Sequence, residues 1–228
     1  MFYSFQGEGV HMGKPAYFVR LMGCDQSCSF CDSAATWHKD WKPANARRLT
    51  ASQILQEVKN AVQEVRLKAV FSAHVPFVVL TGGEPALWNL QPLVSVLRDF
   101  GFDTHIETAG HKPLPFGLKW KTVSPKFFAT PPLPENLARA DEIKLVCTSP
   151  AQIESDLAKI REVVDIAPVW LHPEWSQRDN PQLLRAIVET VKSQPGTRAG
   201  YQLHKLFAAD WLDEGADRRF VPLGGVAR

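Results

Sequence analysis

Residues 76–85 of the chain read PFVVLTGGEP. The first five are apolar without the alternation of a half-exposed strand, the pattern of a strand covered on both faces of a parallel sheet. The run breaks at Gly82-Gly83, a turn signal, so the strand predicted over 76–80 delivers Thr81 to Pro85 as a loop at its C-terminal end. Working outward from there, the same unit recurs. Upstream, residues 16–21 (AYFVRL) predict a strand, and the segment from Thr50 predicts a helix with Ile54, Val58, Ala61 or Val62, and Val65 on one face. Downstream the pattern predicts a helix over 89–100, strands over 102–107, 119–123 and 142–146, and a helix over 151–163. A strand over 168–171, a helix over 181–193 and a strand over 199–203 follow. Strands alternating with helices at this spacing mean parallel βαβ units, as a doubly wound sheet or a full or partial barrel. No repeat and no Gly/Ser/Pro-rich linker divides the chain, so one domain over 1–228 is expected. The tail from Phe207 carries no periodicity.

Composition narrows the class. Apolar residues at 45% and charged residues at 22% are those of a globular protein and exclude a disordered or fibrous chain. A net charge of +2, from 26 basic and 24 acidic side chains, gives no bulk attraction to nucleic acid or to a membrane surface. No apolar run approaches the ~20 residues of a membrane helix. The N-terminus, MFYSFQGEGV, has neither a basic nor an apolar leader region, so a cytoplasmic location is expected. Of four cysteines, Cys24, Cys28 and Cys31 lie within eight residues and Cys147 stands apart, which is not a disulfide framework.

Polar, chemically capable groups follow nearly every predicted strand: the cysteine loop, TGGEP, Glu107-Thr108, Ser124-Pro125-Lys126, His172-Pro173-Glu174 and His204-Lys205. In parallel α/β folds that edge is where ligands collect, so the chain is expected to build one active rim. Cys24-x3-Cys28-x2-Cys31 puts three thiolates within reach of one metal centre, and soft sulfur ligands select iron–sulfur clusters, zinc or copper(I). A structural zinc needs a fourth ligand, from Cys147, His38 or Asp25. Cys147 follows the apolar run IKLV and reads as a small core residue; His38 reads as a loop histidine. A cubane cluster with one iron left open accounts for three cysteines without a fourth ligand.

The cysteine spacing after a first strand, joined to the Gly-Gly-Glu-Pro turn after a second, resembles the radical S-adenosylmethionine superfamily. Within it, the segments FYSFQGEG, FVRLMGC, CDS, IETAG, VSPK and QLHK resemble, in order and over almost the whole chain, the 7-carboxy-7-deazaguanine synthase family. The resemblance implies a partial (βα)6-type parallel barrel and a 4Fe-4S cluster on Cys24, Cys28 and Cys31. The open iron would chelate S-adenosylmethionine, whose one-electron cleavage gives a 5′-deoxyadenosyl radical. The implied reaction, a step toward queuosine and related deazapurines, converts 6-carboxy-5,6,7,8-tetrahydropterin to 7-carboxy-7-deazaguanine with loss of ammonia. Magnesium, a flavodoxin or ferredoxin as electron donor, and a homodimer are implied with it.

Carried over residue by residue, the resemblance assigns Phe5, Gln6, Gly7 and Glu8 to the pterin loop, with Arg20 on the substrate carboxylate, where a guanidinium fork pairs both oxygens. Thr81, Glu107 and His204 are further substrate contacts, Glu107 and Glu8 accepting from the guanidine-like edge. For the cofactor it assigns Gly82 and Gly83 to close backbone approach, Glu84 to the methionine ammonium, and Ser124, Pro125 and Lys126 to the ribose and carboxylate. The aspartate-threonine of the family is Asp32-Ser33 here, making Ser33 the magnesium ligand through its hydroxyl. The segment Leu171-His172-Pro173-Glu174-Trp175 matches the family's cofactor-contacting segment loosely, and the chain begins close to the QGEG loop, so a shortened first strand is expected. Two other readings use the same cysteines. A glycyl-radical activase leaves Gln6, Arg20 and Glu107 without a role, and a non-enzymatic zinc or iron–sulfur protein leaves the polar strand ends and GGEP unexplained.

Overall fold

The computed structural model describes residues 1–40, 46–68, 75–164 and 166–209. Its element order is β1 (Phe2–Phe5), β2 (Pro15–Leu21), α1 (Ala51–Lys68), β3 (Phe77–Gly82), α2 (Gln91–Asp99), β4 (Thr104–Thr108) and β5 (Trp120–Val123). It continues with α3 (Pro134–Ala138), β6 (Glu142–Cys147), α4 (Pro150–Arg161), β7 (Val169–Pro173), α5 (Pro181–Ser193), β8 (Thr197–Ala199) and α6 (Leu203–Leu206). The strands form one sheet in chain order, β1 antiparallel to β2 and every later pair parallel. This is the expected α/β class. β1 and β8 are its edges, so the sheet stays open, and the C-terminal strand ends share one rim.

Strand periodicity separates the two faces. On the outer face, Tyr17, Val19, Val78, Leu80 and Ile106 pack with Ile54, Val58 and Val62 of α1 and Leu93, Val94 and Leu97 of α2. Val123, Ile143, Leu145, Cys147, Val169 and Leu171 pack with Ile153, Leu157 and Ile160 of α4 and Leu183 and Ile187 of α5. The inner face carries the intervening residues, among them Phe18, Arg20, Thr81, Glu107, Lys144 and His172. Cys147 is fully buried in the outer core, its thiol donating to Leu145 O at 3.5 Å, as its apolar flank predicts.

Local chemistry starts the helices where the sequence places them. Thr50 and Gln53 form a reciprocal capping box before α1, with Thr50 N donating to Gln53 Oε1 at 2.8 Å and Gln53 N to Thr50 Oγ1 at 3.3 Å. Ser149 caps α4 and Asn180 caps α5, each followed by Pro in the first turn.

Three expectations need correction. β3 runs on to Gly82, because Thr81 and Gly82 pair with Arg20 and Leu21 of β2. β4 begins at Thr104, with Phe102 buried in the core outside the strand. The last strand is not 199–203: it spans Thr197–Ala199, Gly200 N turns to Leu171 O at 2.9 Å, and Leu203 opens α6. β1, expected as a shortened first strand, is a four-residue edge, Phe2 stacking on Phe18 at 5.0 Å. The tail beyond Ala209 lies outside the described residues. No described helix is long and apolar enough to cross a membrane.

Candidate active site

A cavity of about 280 Å³ opens at the C-terminal rim, and the cysteine loop, the pterin loop predicted at 5–8 and the inner strand face all line it. The cysteine loop leaves β2 and packs back-to-back on the turn after β3. Gly83 N donates to Leu21 O (3.1 Å) and Glu84 N to Gly23 O (2.8 Å). A Cβ on Gly82, which has φ +139°, would lie 1.9 Å from Leu21 O; on Gly83 it would lie 2.2 Å from Gly23 O and 3.0 Å from Cys24 Cβ. Both glycines are therefore demanded by the contact between the two loops, a reason the sequence reading did not supply.

Cys24 Sγ accepts from Gln26 N at 3.4 Å and Cys31 Sγ from Trp37 Nε1 at 3.3 Å, while Cys28 is buried. Burial pushes the Cys24 and Cys28 thiols up, Cys28 to about 11, with the neighbouring sulfurs adding to it and Lys126 opposing it at Cys28. Ligation must therefore displace protons, which iron does readily. Among the described residues no three His, Cys, Asp or Glu side chains converge closely enough to hold a single ion. Three thiols on one loop match the three-cysteine ligation of a cubane that leaves one iron open.

Glu84 is held by protein groups. Only 1% exposed, its carboxylate accepts from Ala86 N (2.9 Å), Thr108 Oγ1 (2.7 Å) and Ala109 N (2.8 Å), with His111 Nδ1 at 3.9 Å. It pins the turn after β3 to the end of β4 at the cavity wall. His111 Nε2 in turn pairs with Asp25 Oδ1 at 2.8 Å, fixing the cysteine loop from behind. Lys126 is half-buried, desolvation lowers its pKa, and Nζ donates to Ser124 O and Oγ at 2.7 Å each. Ser33 Oγ donates to Gly82 O at 3.3 Å and lies 3.6 Å from Cys31 Sγ.

The opposite wall is ionic. Lys144, projecting inward from β6, pairs with Glu8 Oε2 and, at 2.8 Å, with Glu107 Oε2. Gln6 Nε2 donates to Glu107 Oε1 at 2.9 Å, and Gly7 N to Gln6 Oε1 at 2.9 Å. Burial opposes ionisation of Glu8, but Lys144, with His172 and His204, outweighs it and holds the carboxyl at about 2. At Glu107 burial wins, aided by Glu8, and its carboxyl is raised despite Lys144. Arg20 stands beside Thr81 across the β2–β3 register, its guanidinium 5.2 Å over the Phe2 ring and its buried Nε without a protein partner. His204 packs on Gly7, where an added Cβ would lie 2.0 Å from its Nδ1. The structure thus brings the expected residues, Phe5 and Ser124 included but Pro125 excepted, around one cavity. Sequence reasoning missed Lys144, Gln202 and the pairing of Asp32. For Lys144 the signal was present: a lysine inside the apolar strand EIKLVC, two residues from Glu142 and so on the same face.

Residues 5–110 match the family model described as a 4Fe-4S single cluster domain. The 7-carboxy-7-deazaguanine synthase of Synechocystis sp. is 32% identical over 209 residues, covering 90% of this chain and 88% of that protein. That of Bacteroides thetaiotaomicron is 35% identical, covering 90% and 94%, and that of Escherichia coli K12 is 34% identical, covering 90% and 95%. The chain belongs to the 7-carboxy-7-deazaguanine synthase family. The crystal structure of QueE from Escherichia coli superposes with a TM-score of 0.72 at 30% identity, covering 90% of this chain and 92% of that one. Membership makes the open sheet the partial barrel of a radical S-adenosylmethionine enzyme, a lyase carrying a 4Fe-4S cluster and using S-adenosylmethionine. The donor set fits both groups: three thiols on one loop, and beside them a cavity lined by Ser124 and the half-buried Lys126 ammonium.

Proposed function

We propose that the chain converts 6-carboxy-5,6,7,8-tetrahydropterin to 7-carboxy-7-deazaguanine and ammonia, the reaction after which its family is named and a step of queuosine biosynthesis. The observation that carries this is the cavity itself, which sets three thiols facing a carboxylate–lysine–carboxylate array with Arg20 at its edge. The cluster and S-adenosylmethionine, when bound on Cys24, Cys28 and Cys31, supply one-electron hydrogen-atom chemistry that no side chain can provide.

The chain binds, orients and keeps water out. Arg20 offers its guanidinium to the substrate carboxylate, replacing the partner its buried Nε lacks. Glu8 and Glu107 accept from the N–H groups of the pterin, with Gln6 and Gly7 completing that loop and Thr81 and His204 bounding it. Gly82 and Gly83 bring backbone to the cofactor, while Ser124, Pro125 and Lys126 meet its ribose and carboxylate. Because the Ser33 hydroxyl proton is directed to Gly82 O, its lone pairs remain for magnesium. One domain in the cytoplasm, paired as a homodimer and reduced by a flavodoxin or ferredoxin, completes the proposal.

The test is anaerobic incubation of reconstituted protein with S-adenosylmethionine, a reductant and the carboxytetrahydropterin, followed by mass analysis. 7-Carboxy-7-deazaguanine is the expected product. 5′-Deoxyadenosine without it would refute the substrate, and neither compound would refute the radical chemistry.

A further inference from the structure

The segment between β8 and α6 bridges the two loops that form the site. Leu203 N donates to Gly7 O at 2.9 Å. The Gln202 amide nitrogen donates both to Glu8 Oε1, at 2.7 Å, and to Asp32 Oδ2, at 2.9 Å. An amide nitrogen has two protons, so each carboxylate takes one. Lys205 Nζ pairs with the same Asp32 oxygen at 2.9 Å while lying 5.0 Å over the Trp175 ring. Asp32 itself stands between Cys31 and Ser33. Two carboxylates meeting at one nitrogen would repel, but each has its own cation: Lys144 on Glu8 and Lys205 on Asp32. Both aspartate bonds to this segment are charge-assisted, the strong kind, and both originate from a part of the chain 170 residues or more away.

From this geometry we infer that Gln202 and Lys205 are positioning residues: a latch through which occupancy of the pterin loop at 6–8 sets the position of the cysteine loop at Asp32. Neither side chain needs to touch the reacting atoms. Gln202 acts through Glu8 and Asp32, and Lys205 through Asp32 alone. A hydrogen bond holds only near 3 Å, so displacement of Glu8 by a ligand is passed to Asp32 through the shared nitrogen. The latch rests on the proposed reading that Glu8 faces the pterin. It also gives the last described helix, four residues long, a task in chemistry that occurs across the cavity.

Substrate and product differ only by ammonia, so the reaction is redox-neutral and 5′-deoxyadenosine released per product measures uncoupled cleavage of the cofactor. The experiment is hydrogen exchange on the full-length, cluster-loaded protein with and without the carboxytetrahydropterin. In the native protein the pterin is expected to protect residues 6–9 and 24–33 together. In Gln202→Leu it should protect 6–9 alone, with about a tenfold rise in 5′-deoxyadenosine per product. Equal protection of 24–33 in native and variant protein, whether large or nil, overturns the latch. Should Gln202→Leu not fold, the comparison passes to Lys205→Met, expected to uncouple in the same way, and Lys205→Arg, expected to restore coupling; identical behaviour of these two overturns it as well. Product formed normally with no loop coupling would sink the latch and leave the substrate assignment standing. Absence of product in the native protein would strike the assignment instead.

Discussion

Lys144 shows how much one inward side chain decides. It is the cation shared by Glu8 and Glu107, and without it two carboxylates would face each other inside the sheet. Lys144→Met should therefore cost about 3–5 kcal/mol, read by denaturant unfolding, and should raise the KM for the pterin; Lys144→Arg should recover part of both. Gly83→Ala tests the loop contact. Its methyl group would meet the Gly23 carbonyl and Cys24 Cβ, so iron content after reconstitution should fall together with activity. Cys28→Ala should bind no cluster and turn nothing over yet keep its fold, whereas Cys147→Ala, in the outer core, should stay active. The sequence pointed to these cysteines because their spacing is itself the chemistry. It could not point to the occupation of Glu84, since that depends on Thr108 and Ala109 arriving from another strand.

Among the elements, those with an unambiguous period and a cap were legible: α5 occupies Pro181–Ser193 as read, and α1 starts just after its Thr50 cap. β8 was misplaced because its three residues, Thr197–Ala199, carry no apolar run, while the apolar letters that attracted the reading belong to the turn into α6. The turn at Gly9–His11 is a similar case, with tertiary contacts added to its own Met12 N to Gly9 O bond of 3.2 Å. Glu142, 2% exposed, accepts from Val10 N (2.8 Å), Thr122 Oγ1 (2.8 Å) and Trp120 Nε1 (3.3 Å) and so ties the pterin loop to β5 and β6. Gly9 has φ +69°, and a Cβ there would lie 2.5 Å from Glu142 Oε1. Gly9→Ala should push the loop off this anchor, lowering the thermal midpoint and raising the KM for the pterin more than it lowers kcat; unchanged kinetics would show that the anchor does not position Glu8.

At the scale of the molecule, the two large apolar cores and the chemistry occupy opposite faces of one sheet, with a smaller apolar cluster of Ala16, Phe18 and Val79 on the inner face. The continuous apolar run read at 76–80 hid that division, and the partners across the inner face were equally out of reach, because Glu8, Lys144 and Gln202 meet only once the strands stand in order. The division also sets how the protein answers acid. Burial holds His172 at about 4 and His105 at about 3, the latter with help from His11, against 6.5 when unfolded. Below pH 6.5 the unfolded chain therefore binds protons that the folded chain refuses, and stability should fall as pH drops toward 4, by on the order of 3 kcal/mol from His172 alone. His172→Gln should flatten that part of the curve. The Glu8 contribution, present above about pH 4.5, is lost only as pH falls on toward 2.

The same division fixes what removal of the cluster does. The two large packed clusters join the strands to α1, α2, α4 and α5, and none of the three ligand cysteines belongs to either. Cys31 packs against a small apolar satellite of Ala34, Ala35 and Trp37. Hydrophobic burial dominates folding free energy, and here it lies on the far side of the sheet from the thiols. The turn after β3 is likewise held from within, by Glu84, without need of iron. Chelation of the iron should thus abolish turnover while leaving the far-UV circular dichroism and a cooperative unfolding transition in place. A loss of helical signal on chelation would mean that the cluster, and not the packed outer face, organises the rim.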